Sequence, residues 1–437
     1  MRFKETEIQQ YIWNHREDLF SMIQPPLFEK DPNKKPWDYE PWELLYYQTL
    51  KEYKEYYNSL ERLQFFGCEV RLPKEGENTI RSDFFGSLEG ENGFVICELK
   101  VNRQPERQAF TELFAYANHV RSKFAPMGRR DIFYLLISPV EERIVKEATL
   151  SNLLYDKNRI VALIPIIGDD LNSLKFELWV PSKKDFETFA KTAFAPENID
   201  VFRISWRGAE GKWSPTEKGK GPDSEMIHRL NKVSHYAAQL MEANGINGFV
   251  FCLQSYPSER DRGMFENGFT ICGINPFKSA KTRLLYDGGV GLKDAAEADM
   301  EAVGIEDFFP GLDGIDTVYW LANNWSSCLD EIALGVVNRL NRTIGPSTYD
   351  HGYGGFDWQS YRYNSNEDEL CWNYDISLTG VFREMYDLYL ERVYQEDNKN
   401  IDNEKMGMIE NGQLEWHIID MMYSHDHIRE FVDGLIK

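Results

Sequence analysis

Asp83 is followed fifteen positions later by Glu98-Leu99-Lys100, and both lie in segments that read as β-strands. Alternate side chains of a strand share a face, so Glu98 and Lys100 project together while Leu99 turns to the opposite side. A hairpin that folds one segment onto the other can bring Asp83 to the same face. Two carboxylates and an ammonium gathered at one end of a sheet are costly to bury without a partner. A divalent cation resolves the conflict, because two carboxylates, the Leu99 carbonyl and water make an oxygen set suited to Mg²⁺ or Mn²⁺. The chemistry expected of such a group is phosphodiester hydrolysis, with Lys100 orienting the attacking water or stabilising developing charge. Taken alone, Glu-Leu-Lys on an exposed hairpin is equally a surface ion pair of little energetic worth, so its neighbourhood has to decide.

That neighbourhood must hold the three residues in place. Ile8, Tyr11, Ile12, Leu19 and Phe20 recur at helical intervals and predict an amphipathic helix over 5–23, ended by Pro25-Pro26, with Glu7 at its edge. A Pro-, Asp- and Lys-rich loop leads to a second predicted helix over 42–66, crowded with tyrosine. Thr79 to Leu88 and Phe94 to Lys100 read as strands of a hairpin around Glu89-Gly90-Glu91-Asn92-Gly93. Phe110, Leu113, Phe114, Ala117 and Val120 predict a helix over 104–124, and the apolar run between Asp131 and Ser138 predicts a buried strand. A further helix is expected over 140–154 and strands over 160–168 and 175–181. The economical architecture for residues 1–185 is α/β, a mixed sheet flanked by helices, carrying an inserted helical segment near 29–67.

This combination resembles the PD-(D/E)xK (restriction-endonuclease-like) nuclease superfamily, whose core carries an Asp on one strand and (D/E)xK on the next. Residues 1–165 follow the superfamily's order of elements. The resemblance implies that Asp83, Glu98 and Lys100 are catalytic, with Glu7 as the upstream helical acid. It implies metal ligation by Asp83, Glu98, Leu99 and Glu7, and Mg²⁺ or Mn²⁺ as cofactor. Glu112-Leu113-Phe114-Ala115-Tyr116 falls where several branches have QxxxY, so Glu112 and Tyr116, with Gln108 one turn earlier, are expected to line the site. Ser82 stands where the motif name has Pro, and Glu112 where the related motif has Gln. DNA is the expected substrate ahead of RNA, in restriction, defence or repair, and a homodimer is implied by analogy.

The formal charge of −22 excludes a protein that coats nucleic acid through bulk charge, since phosphate binding draws on Lys and Arg. The excess acid lies mainly after residue 200. Leu99 to Arg130 is acid-poor and holds Arg103, Arg107, Arg121 and Lys123, which are the expected phosphate contacts. Six scattered cysteines without a CxxC pair argue against zinc and against a disulfide framework. With no long apolar run and no secretory leader, a cytoplasmic location without membrane partners is expected.

Residues 186–437 read as an acidic α+β domain with a targeting, sensing or regulatory role. Helices are expected over 225–244, 328–342 and 378–395, strands over 248–253, 268–274 and 316–322, and a helical tail over 413–437. His351-Gly352-Tyr353-Gly354-Gly355 reads as a turn, and His425-Asp426-His427 as a solvated patch. The competing function is a non-catalytic protein of nuclease-like fold that binds a partner through its acidic second half.

Overall fold

The computed structural model describes residues 3–73, 76, 78–101, 106–139, 143–207, 224–255, 267–289, 305–309, 317–344, 348–355, 371–373, 376–399 and 431. The chain forms two compact units, one of Met1–Pro32 with Tyr47–Ser182, the other of Asn33–Tyr46 with Lys183–Lys437. Asn33–Tyr46 therefore groups with the second unit.

The first unit is built on one six-stranded mixed sheet whose strands lie in chain order: β1 (Leu63–Leu72), β2 (Ile80–Leu88), β3 (Phe94–Leu99), β4 (Ile132–Ile137), β5 (Arg159–Ile166) and β6 (Lys175–Leu178). β1, β2 and β3 run antiparallel, β3, β4 and β5 parallel, and β6 returns antiparallel. Parallel neighbours need a crossover, and the chain supplies helices after β3 (Glu106–Lys123) and after β4 (Arg143–Leu154). Strands covered on both faces read as continuous apolar runs, and all six residues of β4, Ile-Phe-Tyr-Leu-Leu-Ile, are buried. Gly93 lets β3 start close beside β4. Its φ is +107°, and a Cβ there would lie 2.2 Å from the Asp131 carbonyl oxygen.

Three expectations for this unit need correction. The first helix, α1 (Glu5–Asn14), stops early and is followed by a 3₁₀ turn and the short α2 (Leu19–Met22). The second helix, α3 (Pro41–Ser59), does not run to residue 66, because the chain turns at Leu60–Arg62 and enters β1. The segment near 29–67 is thus no purely helical insertion, since its end supplies the sheet's edge strand. Phe65, buried and stacked on Phe84 of β2 at 5.0 Å, ties that strand to the core. Ile8 and Ile12 of α1 enter the same core.

The helices from Glu106 onward are numbered α4 (Glu106–Lys123), α5 (Arg143–Leu154), α6 (Lys183–Ala193), α7 (Ser224–Ala243), α8 (Pro276–Asp287), α9 (Thr317–Ile344) and α10 (Val381–Lys399). In the second unit β7 (Ile199–Arg207), β8 (Gly248–Ser255), β9 (Asn267–Ile274), β10 (Thr348–Gly355), β11 (Cys371–Asn373) and β12 (Ser377–Thr379) form an antiparallel sheet in the order β10-β7-β9-β8, with β11 and β12 both on β8. Phe202, Phe269 and Ile271 of the sheet share a core with Leu230 and Ala237 of α7 and Leu329 and Val336 of α9. Buried Asp200 accepts from Asn275 at 2.6 Å and Ser326 at 2.5 Å and pairs with Lys278, joining β7 to α8 and α9.

The strand expected over 316–322 is instead the start of α9. Its Val and aromatic residues favour a strand locally, but Val318, Ala322, Leu329, Ala333 and Val336 are buried at helical spacing. The turn expected at 351–355 is part of β10, paired with β7. Residues 208–223 of the expected linker, 413–430 and 432–437 of the helical tail, and His425-Asp426-His427 lie outside the described residues. No helix among the described residues is long and apolar enough to cross a membrane.

Candidate active site

β2 alternates strictly, with Ser82, Phe84, Gly86 and Leu88 buried toward the core and Asp83, Phe85 and Ser87 on the other face. Phe84 pairs with Cys97 and Phe85 with Ile96, so the next step of that register sets Asp83 against Glu98. The ladder opens there. The Leu99 N–H donates to Asp83 Oδ2 at 2.8 Å, a side chain taking the place of a strand bond. The Lys100 N–H points the other way, to the Ile137 carbonyl of β4 at 2.8 Å. A trans peptide sets the Leu99 carbonyl opposite to that N–H, so it faces the β2 side, where Asp83 lies.

Glu98 is buried and pairs with the ammonium of Lys100, which lies 2.9 Å from Glu112 Oε2 on α4. Glu98 Oε2 is buried without a hydrogen-bond donor. That orphaned oxygen calls for either a proton or a cation. Burial, then the contact with Glu112 and the charge of Asp83, push Glu98 up to about 9. Burial also raises Asp83 to about 6, and Glu5 and Glu69 add to the rise, while the Leu99 N–H and Lys100 oppose it. Burial works against the Lys100 ammonium, but Glu112 and Glu98 outweigh it and hold its pKa above the ordinary lysine value. The closeness of Glu112 to Glu98 and Lys100 outweighs its own burial and lowers its pKa. Glu98 and Glu112 thus share Lys100, with Glu98 shifted toward its protonated form and Glu112 toward its ionised form.

The first helix contributes residues that the sequence reading passed over. Gln9, buried, donates from Nε2 to Asp83 Oδ1 and to Glu69 Oε1, both at 2.9 Å. Glu69 sits at φ +51° between the pairs Cys68–Phe84 and Val70–Ser82, in register with Asp83 but outside the ladder. Glu5 Oε2 accepts the Val101 N–H at 3.3 Å, just beyond Lys100. Glu7 does otherwise: it is exposed, and its carboxylate accepts the Lys4 N–H at 2.7 Å, capping its own helix. The helical acid at the cluster is Glu5 rather than Glu7. A signal existed, because at 100° per residue Glu5 and Gln9 share a stripe with Ile8 and Ile12 while Glu7 lies nearly opposite.

The other expected residues divide. Glu112 reaches Lys100, and Tyr116, buried one turn later, is raised by burial and by the charges of Glu98, Glu112 and Asp83. Gln108 lies exposed one turn before Glu112. Arg121 and Lys123 fall in the last turn of α4, roughly 14–17 Å along its axis beyond Glu112 at 1.5 Å per residue, so the structure does not bring them to the acids. Arg121 lies instead near Tyr134, where its charge opposes the rise that burial gives the phenol. Arg103 and the side chain of Arg107 lie outside the described residues.

Among the described residues no group of three or more His, Cys, Asp or Glu side chains is placed to hold a metal ion. A Mg²⁺ site needs fewer, because that ion keeps several waters and takes one or two carboxylates. Asp83, the orphaned oxygen of Glu98 and the Leu99 carbonyl are hard oxygen donors of the kind that ion takes. No protein-family model, curated protein or solved structure matches the chain.

Proposed function

We propose that the chain is a metal-dependent nuclease of the PD-(D/E)xK kind, hydrolysing phosphodiester bonds, with DNA the favoured substrate. The observation that carries this reading is the meeting of Asp83, Glu98 and Lys100 at the open end of the β2–β3 ladder, with one buried carboxylate oxygen left without a donor. A scaffold gains nothing from such a group, whereas a hydrolytic site needs it. The strand order supports the reading too: three antiparallel strands, a helix, then a strand parallel to the third is the restriction-endonuclease-like core.

Asp83, Glu98 and the Leu99 carbonyl would hold Mg²⁺ or Mn²⁺, which when bound polarises the phosphodiester and lowers the pKa of water. The remaining work belongs to the chain. Asp83 is held in orientation by a donor on each oxygen, Gln9 on Oδ1 and Leu99 on Oδ2. Glu98, shifted toward its protonated form, would serve as a ligand only once ionised, its proton passing to solvent. Lys100 keeps its charge, so it acts as a hydrogen-bond donor to the attacking water or to the phosphoryl oxygens and not as a base. Glu112 fixes the Lys100 Nζ from the helix side.

The test is incubation of full-length protein with plasmid and single-stranded DNA under Mg²⁺, Mn²⁺ or EDTA. Cleavage that needs the metal and is lost in Lys100→Ala, but kept when an exposed residue of the second unit such as Glu306 is changed to Ala, supports the enzyme. Failure to cleave any substrate, with no metal binding by calorimetry, leaves the non-catalytic reading in its place.

A further inference from the structure

The face of the sheet that carries Asp83 also carries a row of aromatic rings. Phe85, two residues from Asp83 on the same strand, meets Phe66 of β1 at 5.4 Å and Phe94 of β3 at 5.1 Å, and Phe94 meets Phe124 at 5.2 Å. The two ends are open: Phe66 is 58% and Phe124 55% exposed. A strand rises about 3.4 Å per residue, so Phe85 lies roughly 7 Å from the acids. On the other side of Asp83, Arg71 and Arg81 stand directly opposite each other across β1 and β2, and both are exposed. Like charges paired across strands cost stability, and although Arg81 pairs with Glu69 at 3.5 Å, two guanidinium groups side by side are suited to an anion.

We infer that this face binds a single strand of nucleic acid, with unpaired bases stacked on the exposed Phe66 and Phe124 at the ends of the row and backbone phosphate at Arg71 and Arg81. The inference rests on the hydrolytic reading of Asp83, Glu98 and Lys100 for its position, and names the form of substrate that reading leaves open. Rings bind bases only where bases are unpaired, because a duplex hides their faces and offers phosphates. A chain of net charge −22 is poorly equipped to hold a duplex by phosphates alone, whereas stacking is tolerant of sequence and draws less on charge. The same charge argues against an anionic membrane as the occupant of the aromatic row.

The experiment uses the full chain in EDTA, with labelled oligo-dT, oligo-U and an oligo-dA/oligo-dT duplex as probes. Single strands should bind at least about tenfold more tightly than the duplex, and Phe66→Ala and Phe124→Ala should each weaken them by about tenfold while leaving duplex binding unchanged. The oligo-dT and oligo-U arms report whether the sugar matters. As a check independent of affinity, F66W fluorescence should be quenched by single strands and not by duplex. Equal affinity for strand and duplex, or unquenched F66W fluorescence, overturns the inference while leaving metal-dependent cleavage to stand. Single-strand binding with these losses, but no cleavage with any divalent cation, keeps the inference and sinks the hydrolytic reading.

Discussion

The backbone N–H of Leu99 donates to the carboxylate of Asp83 at 2.8 Å, so the middle residue of Glu98-Leu99-Lys100 anchors the acid of the neighbouring strand. The bond closes the β2–β3 ladder with a side chain and leaves the Leu99 carbonyl turned to the same side. Asp83→Ala should therefore orphan a backbone donor and, on the proposed reading, remove a metal ligand. Metal-dependent cleavage is expected to disappear, and the midpoint of urea unfolding to fall by an amount equivalent to about 1–3 kcal/mol. Cleavage persisting in Asp83→Ala at the wild-type rate would remove this carboxylate from the site.

Glu5 and Glu7 lie two residues apart on α1 yet face different surroundings, one toward Val101 and the other capping its own helix. Glu5→Gln should lower cleavage by roughly tenfold, the scale of a supporting residue at a metal site. Glu7→Gln should leave the rate within about twofold and cost no more than about 0.5 kcal/mol of stability, as expected for a terminal helix interaction. Steady-state rates of the two variants side by side settle which acid serves the cluster.

Gln9 is the uncharged link between two carboxylates. Gln9→Leu keeps the volume but withdraws both hydrogen bonds, so Asp83 loses one of its two donors. Metal affinity by calorimetry is expected to fall by about tenfold, and Gln9→Glu, which adds a third carboxylate, should perturb it differently from Gln9→Leu. Identical affinities in wild type and both variants would deny Gln9 a positioning role.

Stability should depend on pH through the buried acids. The folded chain holds a proton on Glu98 up to about pH 9, whereas the unfolded chain releases it near 4.5, and Asp83 behaves likewise between 3.8 and about 6. Across these windows the native state binds more protons, so stability falls as pH rises. The thermal midpoint of the metal-free protein should drop between about pH 5 and pH 8, and Glu98→Gln should flatten that drop. Mg²⁺ should restore the midpoint at the higher pH in wild type, through preferential binding to the native state, and fail to do so in Glu98→Gln.

Asp200 anchors the second unit through Asn275, Ser326 and Lys278. Asp200→Ala leaves Lys278 without this acid and the Asn275 amide with the Ala322 carbonyl alone of its two acceptors, and should destabilise by on the order of 1–3 kcal/mol. Asp200→Asn, which keeps the shape, should cost less. Equal midpoints for both variants and wild type would mark the cluster as energetically idle.

Local sequence determined the parts of this protein that depend on strand and helix periodicity. The two-residue repeat put Glu98 and Lys100 on one face, the Gly93 turn and apolar β3 marked a hairpin arm, and Leu113, Ala117 and Val120 marked the buried side of α4. The unbroken apolar run of β4 announced a strand covered on both faces. Tertiary structure decided what periodicity does not contain. Packing of α1 against the sheet carried Glu5 and Gln9, whose stripe the helical period already marks, to Val101 and Asp83. Only the pairing of β1 with β2 turned the end of an expected helix into an edge strand and brought Glu69 and Phe66 beside Asp83 and Phe85. Burial of Val318 and Ala322, continued by Leu329 to Val336 in the core of the second sheet, likewise prevailed over the local strand preference at the start of α9. The reason is the same in each case: propensities differ by fractions of a kcal/mol per residue, whereas burying one large apolar side chain is worth about 1.5–3 kcal/mol, and only the folded chain determines which partner does the burying.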